Sequence, residues 1–200
     1  MVTSFSDSIV EKRWWRSALI RDSGFLIRAI TRTCFHGENE YSQIPLSEIA
    51  PNIASGKSKP SAGKYPLYGS TGIIGTSSSD AYKGEMILVA RVGSIGQIQL
   101  INTSGCGITD NTLIIDSGEL NRYVYFFLKT FDFQKITSGT TQPLITGGSL
   151  KRISVPILPA TKRSLFISLL SAVEQRIELE QELLQYHLQS KTYVLANMFI

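Results

Sequence analysis

From Thr161 to Ile200 the chain contains neither glycine nor proline, and apolar residues return every three or four positions. Leu169, Leu170, Val173, Ile177, Leu184, Leu188, Leu195 and Met198 form a stripe, while Glu174, Arg176, Glu178, Glu180 and Glu182 keep the other faces wet. That is the period of an α-helix. About forty helical residues span roughly 60 Å, whereas a single domain of this size is about 30–40 Å across. The stripe is therefore expected to outrun its own globule and to be covered by a second helix, usually from another chain. Leu170, Val173, Ile177, Leu184, Leu188, Leu195 and Met198 are the expected interface. The polar Glu180, His187 and Lys191 on or near the stripe predict a seam of specified register.

A different texture runs from Tyr41 to about Pro159, where short apolar runs alternate with Gly, Ser, Thr and Asn. "EMILVARVG", "IGQIQLI" and "NTLIID" read as strands, being β-branched and bounded by glycine. A short helix is predicted near Leu46–Ala50. "ELNRYVYFFLKTFDFQKI" reads as an amphipathic helix, with Asn121 as a cap and Tyr125, Leu128 and Phe131 facing the core. "KRISVPILP" reads as a last short strand, stopped by Pro156 and Pro159. No βαβ unit repeats, so the class is mixed α+β with long glycine-rich loops and one long C-terminal α-helix. Residues 1–40 form a third region, in which Lys12, Arg13, Arg16, Arg21, Arg28 and Arg32 are interleaved with apolar residues at helical spacing. Gly24 is expected to break or bend that helix. It either packs on the domain with a solvated basic face or serves as an arm that touches phosphates.

Two hundred residues with a net charge of +4 suit one domain with an appendage, and suit nucleic acid without requiring it. Cys34 and Cys106 make no disulfide framework and read as reduced thiols of a cytoplasmic protein. No secretory apolar core follows Met1, and runs such as "MILVA" are too short to cross a bilayer.

Catalytic chemistry is missing from this sequence. "GKYPLYGSTGIIG" (Gly63–Gly75) is followed by Thr76 and Ser77, so it lacks the lysine of a phosphate loop, and its glycine spacing is not the dinucleotide fingerprint. Cys34 and His36 have no further metal ligands at usable spacing. Asp110 has no neighbouring histidine for a triad. No Asp/Asn-Pro-Pro-aromatic loop for methyl transfer and no carboxylate cluster for two Mg²⁺ ions is present. Catalytic residues, metal and a cofactor of its own are therefore not expected.

What the loops do hold is a set of groups suited to reading a polymer. Lys57, Lys59 and Lys64 make a positive patch able to pair with phosphates. Tyr65 and Tyr68 either pack on sugars or stand in the core. Arg91, beside Ser94 in "ARVGSIG", either forks onto guanine or a phosphate, or fixes its loop by an internal ion pair. In "SGTTQPLITGG" the hydroxyls include Thr140 and Thr141, and Gln142 either reads adenine or satisfies a buried turn.

The ordered set "YPLYGSTGIIG", "GEMILVARVGSIGQI", "SGTTQPLITGGSLKRISVPILP" and a long helix ending "LANMF" resembles the specificity subunit of type I restriction–modification systems, from about Tyr41 to Phe199. The resemblance implies a target recognition domain over 41–160 and a conserved long helix over 161–200. In that family two such units stand in tandem, each reading half of a bipartite DNA sequence. Their helices pair antiparallel as a ruler and dock the methyltransferase subunits. With one unit, this chain is expected to act as a half subunit that rebuilds the ruler as a homodimer on double-stranded DNA. S-adenosylmethionine is expected on the partner methyltransferase, and a translocating nuclease subunit can join. The alternative is a truncated fragment that exchanges recognition halves without acting alone. Where many relatives carry Glu-Gln after the prolines, this chain has Lys162 and Arg163. Residues 1–40 read as either a remnant of an upstream helix or a helix that completes the bundle.

Overall fold

The computed structural model of the chain describes residues 25–35, 41–139 and 143–198. It divides into two compact units, Phe35–Arg163 on the one hand and Met1–Cys34 with Ser164–Ile200 on the other. The described part of the basic N-terminal segment, up to Cys34, thus groups with the long helix from Ser164 on. Of that segment, residues 25–35 are a helix, α1.

The larger unit holds β1 (Gln43–Pro45), α2 (Leu46–Ile49), β2 (Ala54–Ser55), β3 (Tyr65–Gly69), β4 (Gly72–Ser77), β5 (Tyr82–Ala90), β6 (Ile98–Ile108), β7 (Thr112–Ile115), α3 (Asn121–Thr130), α4 (Gly147–Lys151) and β8 (Ser154–Pro156). α5 follows over Ala160–Met198. Six strands form one sheet in the order β2-β7-β5-β6-β3-β4, and β1 pairs with β8 apart from it. The class is α+β, as the residue pattern predicts. Every pairing in the large sheet is antiparallel except β3 with β6.

The apolar run "MILVA" explains the centre of that sheet. Met86 to Ala90 are all buried, as a strand covered on both faces requires. β6 runs eleven residues, well past "IQLI" into the polar "NTSGCGI". Gly105 and Gly107 allow that continuation: a Cβ on Gly107 would lie 2.9 Å from both Leu67 Cδ1 and Ser77 Cβ. Sequence patterning stopped the strand early because Asn102, Thr103 and Ser104 interrupt the apolar run; Cys106 and Ile108 then return to the core, and backbone pairing to β3 and β5 holds the strand's end.

α3 packs on β5 and β6. It is buried nearly all round, from Tyr123 to Leu128. It ends at Thr130, short of the predicted Ile136, because Phe131 turns to extended backbone. The Asp132 carboxylate then accepts from Gln134 N to start a separate 3-10 turn over Phe133–Ile136. Asn121 lies inside the helix, one residue past the cap. Its Oδ1 accepts from Ser117 N and Oγ, and its Nδ2 donates to Glu85 O at 2.8 Å.

A buried tyrosine closes the domain. Tyr123 is fully buried; its hydroxyl donates to Pro156 O at 2.5 Å and accepts from Leu158 N at 3.1 Å. The same stretch is zipped to the domain's start, with Ile157 N donating to Ser42 O and Leu46 N to Ile153 O. Phe35 sets its ring edge against Tyr123 and Phe127. Arg163 lies over the Tyr123 ring, and Lys162 Nζ donates to Tyr41 Oη at 3.2 Å. The two basic residues at the start of α5 are therefore used to seat that helix start on its own domain. Tyr123→Phe leaves a carbonyl and an amide buried without partners, at a cost of about 1–3 kcal/mol. In urea unfolding the midpoint is expected to fall with an unchanged slope; a midpoint equal to that of the parent would rule this closure out.

Candidate nucleic-acid interface

The lysine patch is a strap laid flat on the sheet. Its backbone is hydrogen-bonded along its length: Gly56 N to Thr112 O at 3.0 Å, Ser58 N to Ile108 O at 2.8 Å, Lys57 N to Tyr82 Oη at 3.1 Å and Ser61 N to Thr76 O at 3.2 Å. Glycines at both ends make the close approach possible. A Cβ on Gly56 would stand 2.3 Å from Ile108 O, and one on Gly63 2.2 Å from Ser77 O. With the backbone turned inward, the side chains of Lys57 and Lys59 face solvent. A cleft of about 540 Å³ opens on one side, lined by Lys57, Lys59, Ser70, Thr71, Asp110 and Asn111 among others. A second of about 400 Å³ opens on the other, lined by the same lysines with Ser61, Ser77, Ser78 and Ser79.

"YPLYGSTGIIG", expected as loop, is a β-hairpin. β3 and β4 pair from Tyr65↔Ser77 to Gly69↔Gly72, leaving Ser70 and Thr71 as a two-residue tip. Gly72, at φ +134°, takes backbone that other residues avoid. Gln99 Nε2 donates to Gly69 O and Ser70 O, which ties the tip to β6. On the β4 side Ile73 and Ile74 stand open to solvent, 62% and 55% exposed. The sequence signal was present: a two-residue Ser-Thr insert between glycines, flanked by β-branched and aromatic residues.

Tyr65 and Tyr68 take different roles. Lys64 Nζ lies 5.1 Å over the Tyr65 ring, so these two act together at the open end of the hairpin. Asp80 lies close by and pairs with Lys83 at 2.9 Å; that bond and charge pull the Asp80 carboxyl down. Tyr68 instead packs against the cluster of Met86, Leu88, Ile101, Cys106 and Ile108. Burial, then the neighbouring Cys106, pushes its phenol up, and burial likewise raises the Cys106 thiol. The core alternative is the one the structure supports for Tyr68.

Arg91 stands where β5 ends. Its amide donates to Asn111 O at 3.1 Å, and its Nη1 reaches Asp110 O at only 3.5 Å. Its Nε is buried without a partner. No carboxylate pairs with it among the described residues, so the internal ion pair weighed from the sequence is not formed. Ser94 is exposed in the following turn, its carbonyl accepting from Gln97 N. The carbonyl of Arg91 accepts from Ile145 N at 3.0 Å, and Ser138 and Leu144 exchange both backbone bonds. The stem of the "SGTTQPLITGG" loop is thereby joined to the Arg91 turn. Thr140, Thr141 and Gln142 lie outside the described residues. Past the stem, Thr146 and Ser149 form a reciprocal capping box that starts α4, an element hidden in "TGGSLK".

Sequence reasoning therefore found the strap, Arg91 and the loop stem, and missed the residues that join them. Ser70, Thr71, Asp110 and Asn111 line the cleft between these groups. The short "TDNT" between two strands was the available signal, and it was weighed only as a failed triad.

The long helix carries two apolar faces. Leu170 is fully buried within the single chain, and Val173, Ile177, Leu184 and Leu188 are half-buried. Of the residues expected to meet a partner, Leu170 is thus already covered within the chain, while these other four keep part of their surface. Leu195 is 48% exposed, and the Met198 side chain lies outside the described residues. A second face is open: Leu165, Leu169, Leu179, Leu183, Tyr186 and Tyr193 are 41–70% exposed. With Ala172, Arg176 and Ser190 they repeat at alternating steps of four and three, the period of a coiled-coil seam. Of this second face, only Leu169 stands in the stripe read from the sequence; the two faces lie about a quarter turn apart.

Among the described residues no helix is long and apolar enough to cross a membrane, and no group of His, Cys, Asp and Glu is placed to hold a metal ion.

The chain thus combines a mixed sheet, a lysine-bearing strap and a long helix. Residues 40–186 match the type I restriction modification DNA specificity domain, and the chain belongs to that family. A protein named as a type I restriction enzyme specificity subunit, S.HindORF215P of Haemophilus influenzae, is 26% identical over 140 residues, covering 64% of this chain and 36% of that one. The type I S subunit from M. genitalium superposes with a TM-score of 0.76 at 17% identity, over 94% of this chain and 57% of that one. The HsdS subunit from Thermoanaerobacter tengcongensis gives 0.60 at 17% identity, over 93% and 54%. The chain thus spans about a third of that curated relative and little more than half of these solved chains. Specificity subunits are the non-catalytic members of their systems.

Gly56→Ala forces the strap off the backbone of β6, whereas Pro60→Ala, exposed on the same strap, removes no hydrogen bond. The first is expected to lose about 1–3 kcal/mol and the second less than about 0.5 kcal/mol in urea unfolding. Equal stability of the two would show that the strap does not lie on β6.

Proposed function

We propose that this chain recognises a DNA sequence for a type I restriction–modification system and does no chemistry itself. The observation that carries the reading is the meeting of the Lys57–Lys59 strap, the Ser70–Thr71 tip and the Asp110–Asn111 turn on one cleft, with Arg91 bonded to that turn. Cations on a fixed backbone meet phosphates and release counterions, while neutral and forked groups beside them face base edges. Lys64 and Tyr65, at the other end of the hairpin, extend the contact along the backbone of the duplex.

In this reading two copies pair through α5 in a twofold dimer, so the target is bipartite and symmetric, with an unread spacer set by the helix. The open face from Leu165 to Tyr193 supplies the seam, in place of the shielded Leu170 face. The dimer presents its site, in the cytoplasm, to a partner adenine methyltransferase that carries S-adenosylmethionine, and a nuclease subunit joins the same complex. A second reading is kept because the chain matches little more than half of the solved subunits: an exchange module that pairs its helix with a full specificity subunit or a methyltransferase and does not act alone.

Two measurements test the reading. Duplex binding by the purified chain is expected to weaken steeply with salt, and Lys57→Gln with Lys59→Gln to reduce the slope of log affinity against log salt by about two. Binding insensitive to salt would overturn the phosphate role of the strap. Light scattering is expected to give a dimer that Leu179→Glu with Leu183→Glu turns into monomer, with loss of twofold symmetry in the bound sequence. A parent chain that is monomeric until a partner subunit is added would favour the exchange module.

A further inference from the structure

The turn joining β6 to β7, closed by Thr112 N donating to Thr109 O at 3.2 Å, carries Asp110 and Asn111, whose side chains are not used to hold it. Among the described residues none but glycine has positive φ, so Asn111 is not there to adopt left-handed backbone. Neither side chain folds back to hold the turn, as an Asx turn would. The turn is held instead through its main chain. Thr109 N donates to Tyr68 O at 3.0 Å, while Asn111 O accepts from Arg91 N at 3.1 Å and from Ser70 Oγ at 3.2 Å. Asp110 O accepts from Arg91. The result is a rigid backbone from which the Asp110 carboxylate and the Asn111 amide stand exposed, without a hydrogen-bond partner among the described residues.

These two side chains share the cleft of about 540 Å³ with Lys57 and Lys59. Phosphates suit the lysines and are repelled by the carboxylate. A carboxylate is tolerated against DNA where it meets a donor, and the donors on base edges are exocyclic amino groups. A fixed backbone bearing an uncommitted amide is what two-bond recognition of one base requires.

We propose that this turn reads bases directly in the major groove: Asn111 accepts from adenine N6 and donates to its N7, Asp110 accepts from cytosine N4, and the lysine strap holds the phosphates. The assignment rests on the DNA-recognition reading above and adds which residues set the sequence. Because Asn111 bonds the protein through its carbonyl, replacing its side chain leaves the turn in place.

The test is selection of bound duplexes from a randomised pool at low salt, followed by sequencing, with the parent chain, Asn111→Ala and Asp110→Ala. Asn111→Ala is expected to lose an adenine preference at one position of the site, by about tenfold to a hundredfold. Asp110→Ala is expected to relax a neighbouring cytosine. Melting temperature and salt slope should stay as in the parent. If Asn111→Ala melts lower, Asn111→Asp keeps the shape while removing the amide donor, and is expected to move the preference from adenine towards cytosine. Unaltered base preferences in both alanine variants, or equal weakening on every sequence, would overturn the assignment while leaving the DNA-recognition reading intact. A parent chain that enriches no sequence and binds no duplex would overturn both.

Discussion

Five residues of main chain, Ile108 to Thr112, hold the recognition surface together. Their carbonyls accept from Ser58, Gly56 and Arg91 and from the hydroxyl of Ser70, and the amide of Thr109 donates to Tyr68 O. Strap, hairpin tip and Arg91 turn are therefore three separate pieces of chain docked on one turn. Each bond contributes only about 0.5–1.5 kcal/mol, yet leaving any one of them unmade in a partly buried place costs more. The arrangement works because β6 runs eleven residues and delivers its end to that place. Glycine at 56 and 63 then lets a lysine-bearing segment lie against it at a separation no side chain would permit.

That constraint accounts for the mixture of charges in one cleft. Lysines stand on the strap because its backbone faces inward, and the turn is held by main-chain bonds, so its side chains need not stabilise it. In the reading proposed above, positioning and base contact fall to different segments that share a single frame, as where phosphate contacts fix register and base edges carry sequence. Arg91 lies between them, with one long bond and no carboxylate.

The long helix follows a different logic. Its apolar content exceeds what one face needs, and the excess lies on a second stripe with a 3.5-residue repeat. Leu170 is fully buried and Val173, Ile177, Leu184 and Leu188 are half-buried, while Leu179, Leu183 and Tyr186 stand exposed.

The order of residues was enough to determine the fold class, the helix from Ala160 to Met198, the buried strands around "MILVA" and the cationic character of Lys57 and Lys59. Each depends on local periodicity or composition, which survives reading one segment at a time. Sequence was not enough for the hairpin in "YPLYGSTGIIG", the early end of α3 at Thr130, the core role of Tyr68 or the choice between the two helix faces. Those depend on what lies opposite, such as β6 beside β3 and Cys106 beside Tyr68. The partnership of Asp110 and Asn111 with the strap was likewise decided in three dimensions. More than fifty positions separate them along the chain, and main-chain hydrogen bonds, to which most residue types contribute alike, bring them together.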